Sequence, residues 1–496
     1  MVEQFQEYYK KQVLINLNMI KFIWIIYGKL LTEQLSIMNL SSILKRKGVD
    51  SQLIYSNNKK KVFEEIETIK PDIIAYSLMY GSHWPYIELT REIKQKYPDI
   101  YQIAGGPLTT FYPQTLNNLT LDAVAVGESD ISLPNLIECF GDDRSSIDNT
   151  NGFNFRSNGT IKRNGLQNLL ENLDELPFPD RKILYDQDSL LRNQEFKSFL
   201  SGRGCPYPCT YCFNHKFNEM FKGKGKILRK KSVDYFVEEV KETKDKYGCQ
   251  FAIFEDDIFV MNKTWLEEFN RKFKQKVGIP YICYVRANHV EEDMLKLLKE
   301  SGCHIVRMAI ETGNETLRNT ILKRNMKDTD IIKASDLIHK YGLKLSVSNM
   351  LGLPTETVET LRDTINLNIR CKPDNPTAQF FMPYPGMELS RIAVEKGNFN
   401  EELLDKIPKN TWKTTPLIFD KATKKTLEKS QKLFSLIVKF PRTRKYEKLF
   451  FLFPDYLLYI LSVAVKIIII KNYFPPTSVT LLHRLRVLVR FLGFYG

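Results

Sequence analysis

A chain of 496 residues exceeds one ordinary hydrophobic core, so it predicts two or three domains. Its apolar share of 43% and charged share of 26% are those of a folded globular protein and exclude a disordered or low-complexity polymer. The net charge of +14 does not by itself select nucleic acid or an anionic membrane as partner, because the lysines are interspersed with glutamates and aspartates along most of the chain.

The first third alternates short apolar runs with helical patterns. The strand candidates are FIWIIY (22–27), SQLIYS (51–56), DIIAYSL (72–78), YQIAGG (101–106) and DAVAVG (122–127). Helical periodicity falls at about 33–47, 60–69, 84–97 and 131–139. This predicts a doubly wound, Rossmann-like parallel sheet over residues 1–145, with ligands expected beyond the carboxyl ends of its strands. Gly105-Gly106-Pro107 and Gly127-Glu128 lie at two such ends, where they read equally as tight strand-to-helix turns.

Residues 146–194 are polar and rich in turn formers, and they are read as a linker. A second alternation follows over 195–395. Strands are expected at 197–202, 250–255, 281–286, 304–310, 344–351 and 377–382, with helices between them. Six such units predict a partial (β/α)6 barrel with its chemistry at the carboxyl ends of the strands.

Eight cysteines, mostly isolated, suit reduced thiols, and the amino terminus carries no secretory leader pattern, so a cytoplasmic protein is expected. The exception is GRGCPYPCTYC, where Cys205, Cys209 and Cys212 form C-x3-C-x2-C directly after the first barrel strand. With His215 as a fourth ligand the trio could hold a structural zinc. An iron–sulfur cluster on three thiolates would instead leave one iron open to a substrate or cofactor.

With Tyr211 before its third cysteine, this motif resembles that of the radical S-adenosylmethionine enzymes, and later motifs agree with that likeness. FEDD (254–257) closes the second strand, AIETGNETLR (309–318) the fourth, SNMLGLPTET (348–357) the fifth and PYPGM (383–387) the sixth. The resemblance implies a 4Fe-4S cluster on Cys205, Cys209 and Cys212, whose open iron chelates S-adenosylmethionine and whose electron releases a 5'-deoxyadenosyl radical. It also implies S-adenosylmethionine contacts from Tyr211, Glu255, Asp256, Glu311 and Gly352. As ordinary residues, the three acids would cap helices or face solvent. Asp257 equally fits a place facing substrate.

The doubly wound domain ahead of such a barrel is similar to the cobalamin-binding subclass. On that resemblance Ser77, Gly105, Gly106, Gly127 and Glu128 pack the corrin and its nucleotide tail. The chain departs from the widely known cobalamin pattern, since IIYGKLLTEQ stands where D-x-H-x-x-G would supply a cobalt-ligating histidine. Methyl transfer to an unactivated centre is then the leading reaction. The alternatives are a cobalamin-independent oxidoreductase or cyclase, and a non-catalytic metal-stabilised binding module. Radical methylthiolation of RNA is disfavoured, because residues 1–190 hold only Cys139 and not three further cysteines, and no nucleic acid is expected as partner.

Expected partners are a small-molecule or lipid-like substrate and a reductant such as flavodoxin or ferredoxin. His83 and His289 are expected near strand ends as structural residues, proton carriers or an upper neighbour of cobalt, and Arg286 as a contact for a substrate anion or a neighbouring acid. Residues 396–496 read as a helical region. YLLYILSVAVKIIII (456–470) is too short to span a bilayer, and TLLHRLRVLVRFLGF (480–494) has the composition of an interfacial helix. Peripheral contact with the inner membrane face, and a helical cap packed on the barrel or on a dimer partner, are open readings of this region.

Overall fold

The computed structural model describes residues 17, 20–142, 144–157, 160–400, 402 and 414–474. They fall into two compact units, the first formed by the chain up to Gln194 with Phe217–Arg229, the second by Glu195–Lys216 and the chain from Lys230 onward.

In the first unit, β1 (Lys21–Tyr27), β2 (Asp50–Ser56), β3 (Ile73–Ser77), β4 (Tyr101–Gly105) and β5 (Ala123–Ala125) are parallel. They alternate with α1 (Leu35–Arg46), α2 (Lys59–Ile69), α3 (Trp84–Lys96) and α4 (Ser132–Asp142). The continuous apolar run Phe22–Ile26 is buried throughout, as a strand covered on both faces requires. The neighbour order β2-β1-β3-β4-β5 reverses direction between β1 and β3, and ligands of such sheets bind at that switch point.

The expected linker differs from what the structure contains. β6 (Phe153–Ser157) and β7 (Thr160–Arg163) extend the same sheet as an antiparallel hairpin beyond β5. Phe153 and Phe155, two apart and so on one face, are both buried. The sequence signal for it is Asn158-Gly159 between the two runs, a dipeptide strongly favoured in tight hairpins.

In the second unit, six parallel strands follow one another in chain order to form a curled half-barrel. They are β8 (Phe196–Phe199), β9 (Phe251–Phe254), β10 (Tyr281–Val285), β11 (Cys303–Glu311), β12 (Lys344–Leu351) and β13 (Asn375–Phe380). Helices α5 (Phe213–Met220), whose residues from Phe217 onward count with the first unit, α6 (Val233–Tyr247), α7 (Lys263–Lys276), α8 (Glu292–Glu300), α9 (Asp328–Lys340) and α10 (Val358–Cys371) run between them. α6 shows how local sequence sets these limits. The Ser232 hydroxyl accepts the Tyr235 N–H at 3.2 Å at its start, and Gly248 ends it in the left-handed conformation. Between helices and sheet lies an aromatic core that includes Phe236, Phe254, Phe259, Trp265, Phe269 and Tyr281.

The carboxyl-terminal region adds α11 (Glu388–Glu395), α12 (Lys421–Lys439) and α13 (Asp455–Tyr473). The apolar run 456–470 lies in α13, where Leu458, Val465 and Ile469 share a core with Leu433 and Phe434 of α12 and Phe380 of β13. Tyr473 then joins Phe251, Ile282 and Ile305 near the amino-terminal ends of the strands, opposite the end that carries the motifs. The cap reading of this segment is therefore observed. Among the described residues no helix is long and apolar enough to cross a membrane, and the segment 480–494 lies outside the described residues.

Candidate functional site

Every barrel motif selected from the sequence lies at the carboxyl edge of the half-barrel. After β8 the chain turns at Ser201, runs through the three cysteines and enters α5 directly after Cys212. Several hydrogen bonds fix this loop. The Ser201 N–H donates to Asp256 Oδ2 at 3.0 Å. The Thr210 hydroxyl donates to Ile321 O at 2.7 Å, and Thr210 O accepts the Leu389 N–H at 2.9 Å. Cys212 N–H closes a turn on Cys209 O at 3.0 Å. Ile321 ends a single π-helical turn, Leu317–Ile321, an element that recurs at functional sites.

Burial pushes the Cys212 thiol up to about 12 and raises Cys205 above its ordinary value, with Asp257 adding to both shifts. Asp257 thus lies beside the cysteines, where the Asn214 side chain donates a hydrogen bond to it. His215 faces Glu388 at 3.6 Å, and among the described residues no three metal-ligating side chains converge as a single ion would require.

The fit to a larger anionic centre is shown by Arg286. This buried residue follows β10, directs Nη1 to Cys209 Sγ at 3.8 Å, and leaves Nε without a partner. No carboxylate among the described residues pairs with it; it donates to Cys209 Sγ and to the carbonyl oxygen of Arg324. Thiolates carrying an iron–sulfur cluster supply the anion that a buried guanidinium needs.

Tyr211, Glu311 and Arg324 form a second knot. The Tyr211 hydroxyl donates to Glu311 Oε1 at 3.0 Å, Arg324 bonds the Tyr211 oxygen, and Arg324 pairs with Glu311 at 3.5 Å. Glu311 adopts φ +69°, and the β11–β12 register shifts between Ala309 and Glu311. A bulge that re-aims one side chain into a strained left-handed conformation marks a position held for function. Burial raises the Glu311 carboxyl and the Arg324 charge opposes it.

The two acids of FEDD separate. Asp256 is buried against Ser201 and lies 3.9 Å from Lys230, so its carboxylate anchors the cysteine loop. Glu255 receives the Ser198 hydroxyl at 3.4 Å and is only part-buried. Gly352 ends β12 at φ +69°, where an added Cβ would lie 2.6 Å from Thr415 Oγ1. Glu356 holds that turn through the backbone N–H groups of Gly352 and Leu353. Sequence reading missed Arg324, Thr210, Ser201 and Glu356. Arg324 sits in the basic run LKRNMK with nothing to separate it from surface charge, whereas Glu356 stood inside a quoted motif.

In the first unit, Ser77 and Gly105 are direct neighbours at the carboxyl ends of β3 and β4. Gly106, at φ +105°, passes so close to the Leu78 backbone that an added Cβ would lie 2.7 Å from its carbonyl oxygen. Gly127, two residues past β5, faces the Phe221 ring with no room for a side chain. Glu128 makes a two-pronged ion pair with Arg229, Nη1 to Oε2 at 2.8 Å. These residues therefore share one sheet edge, with the Glu128 carboxylate engaged by a buried arginine. His83 is buried, its ring 4.5 Å from that of Trp84, and His289 bonds the Tyr207 hydroxyl.

A curled parallel half-barrel with three cysteines on its first carboxyl-end loop, preceded by a doubly wound sheet, defines a cofactor-dependent α/β enzyme. Residues 199–367 match the model of the radical SAM superfamily and residues 26–137 that of the B12 binding domain. The chain thus carries a radical SAM domain and a B12-binding domain, and the cofactors that these domains imply are a 4Fe-4S cluster, S-adenosylmethionine and cobalamin.

It is 27% identical over 332 residues to an uncharacterized methyltransferase of Pyrococcus horikoshii, covering 66% of this chain and 71% of that protein. It is 23% identical over 398 residues to a cytidylyl-2-hydroxyethylphosphonate methyltransferase of Streptomyces wedmorensis, covering 72% of each. Among solved structures, the cobalamin-dependent S-adenosylmethionine radical enzyme OxsB superposes with a TM-score of 0.61 at 17% identity, covering 96% of this chain and 72% of that one. The radical S-adenosylmethionine methyltransferase TsrM of Kitasatospora setae gives 0.59 at 15%, covering 74% and 75%. These two likenesses are likenesses of fold.

Proposed function

We propose that the chain is a methyltransferase that uses radical chemistry to methylate a small or lipid-like molecule at an unactivated centre. The observation that carries this reading is the cysteine loop with the buried Arg286 directed at its buried Cys209, in a chain that also has a B12-binding sheet and resembles methyltransferases. When bound, the three cofactors supply a hydrogen-abstracting radical and a methyl carrier.

Cys205, Cys209 and Cys212 hold the cluster in this reading. Tyr211, Glu255, Glu311 and Gly352 orient S-adenosylmethionine along the carboxyl edge, and Asp256 acts beside them by fixing the cysteine loop. Ser77, Gly105, Gly106, Gly127 and Glu128 shape the cobalamin side, the glycines by letting backbone approach closely and Glu128 by holding Arg229. The chain works in a reducing compartment with an electron carrier of the flavodoxin or ferredoxin kind. Ile460, Ile467, Ile468 and Ile470 leave an exposed apolar side on α13 that supports peripheral contact with a membrane, checked by flotation with anionic vesicles.

The deciding experiment is anaerobic purification with cobalamin supplied, followed by iron, sulfide and corrinoid analysis and incubation with methyl-labelled S-adenosylmethionine and reductant. One cluster and one corrinoid per chain with 5'-deoxyadenosine formed is the expected result. A cluster without corrinoid overturns methyl transfer through cobalamin, and neither cofactor overturns the whole reading.

A further inference from the structure

Among the described residues, Arg286 is buried at this site with no carboxylate paired to it. Arg324, its neighbour, is matched by Glu311. Arg286 instead spends its donors on Cys209 Sγ and on the carbonyl oxygen of Arg324. Its guanidinium carbon lies over the Tyr207 ring, 3.8 Å from the centroid, and the Tyr207 hydroxyl is tied to His289 Nε2 at 2.5 Å. Tyr207 stands between Pro206 and Pro208 within the cysteine motif, so the ring's position is set by the same loop that carries the thiols. The guanidinium is thus clamped from one side by an aromatic face and directed from the other toward sulfur.

We propose that Arg286 is a positioning residue that tunes the cluster: a fixed cation whose N–H points at the Cys209 sulfur and raises the cluster's reduction potential, with Tyr207 and His289 holding it in place. Reduction adds one electron to the cluster, and a nearby fixed positive charge stabilises the more negative state. In a desolvated site that stabilisation is screened little by solvent. The proposal rests on the cluster-binding reading given above.

The test is the midpoint potential of the reconstituted holoenzyme, followed by electron paramagnetic resonance during a redox titration, for wild type, Arg286→Met, Arg286→Lys and Tyr207→Phe. Arg286→Met is expected to shift the reduction equilibrium at least tenfold toward the oxidised cluster, which is 59 mV for one electron. Arg286→Lys retains the charge and stays within about half of that shift, and Tyr207→Phe moves in the same direction as Arg286→Met by a smaller amount. If Arg286→Met does not retain iron, the Lys and Phe variants decide the sign. An unchanged potential in variants that carry the cluster overturns the inference alone. A wild-type protein that binds no 4Fe-4S cluster overturns the underlying reading and the inference with it.

Discussion

Tyr211 donates its hydroxyl to Glu311 Oε1 at 3.0 Å across a hundred residues of chain, joining the cysteine loop to the end of β11. Arg324 closes the knot on both. Removing the carboxylate leaves Arg324 buried without its acid, so Glu311→Ala is expected to cost about 3 kcal/mol in urea unfolding. Glu311→Gly removes the same group but relaxes the φ +69° backbone. It is expected to cost about 1 kcal/mol less than the alanine variant. Equal losses would show that the left-handed conformation stores no strain.

Gly313 makes a steric prediction of a different kind. An added Cβ would lie 2.3 Å from the Asp363 carbonyl oxygen and 2.5 Å from Thr364 Cα, both backbone atoms of α10. The helix cannot yield without giving up the Gly313 N–H bond to the Thr364 hydroxyl at 2.9 Å. Gly313→Ala is expected to destabilise by about 3 kcal/mol. Gly248→Ala, at φ +70° with open space around it, is expected to cost about 1 kcal/mol. Thermal melts of the two variants side by side check the contrast.

Sequence legibility followed the physics of each feature. The parallel strands were readable because strands covered on both faces are continuous apolar runs, and Phe22–Ile26 is such a run. The cysteine loop was readable because three cysteines in eight positions are local. The hairpin β6–β7 was hidden by polar turn residues, although Asn158-Gly159 carried its signal. Arg286 reads from the sequence as a contact for a substrate anion or for a neighbouring acid; that it turns to Cys209 depends on a contact 77 residues away in sequence. Asp256 and Glu255 are adjacent acids with no local difference. Only the alternation of neighbouring positions across the sheet edge sends one to Ser201 and leaves the other part-buried.

That division between the two acids can be measured. Asp256→Asn keeps the shape but loses the charge facing Ser201 and Lys230, so the cysteine loop is expected to hold its metal less well. Iron and sulfide retained after anaerobic gel filtration should fall at least twofold. Glu255→Gln should retain iron at the wild-type level and weaken S-adenosylmethionine binding about tenfold in equilibrium dialysis. The reverse pattern would return Asp256 to the cofactor and give Glu255 the structural role.

Glu356 gives a pH prediction with a definite sign. Burial raises its carboxyl from 4.5 to about 8, although two backbone N–H groups favour the charged form. Because the folded state holds this proton more tightly than the unfolded chain, the contribution to stability is full below about pH 4.5. It is then lost as pH rises toward 8. Each unit in that window costs up to about 1.4 kcal/mol. Glu356→Gln cannot ionise and keeps an acceptor for the Gly352 and Leu353 N–H groups. Its unfolding free energy should therefore fall less steeply than that of wild type between pH 5 and 8, and the two curves should converge or cross near pH 8. Urea titrations of the cluster-free protein at three pH values measure the slopes directly, and parallel curves would mean that Glu356 is ionised in the folded state throughout.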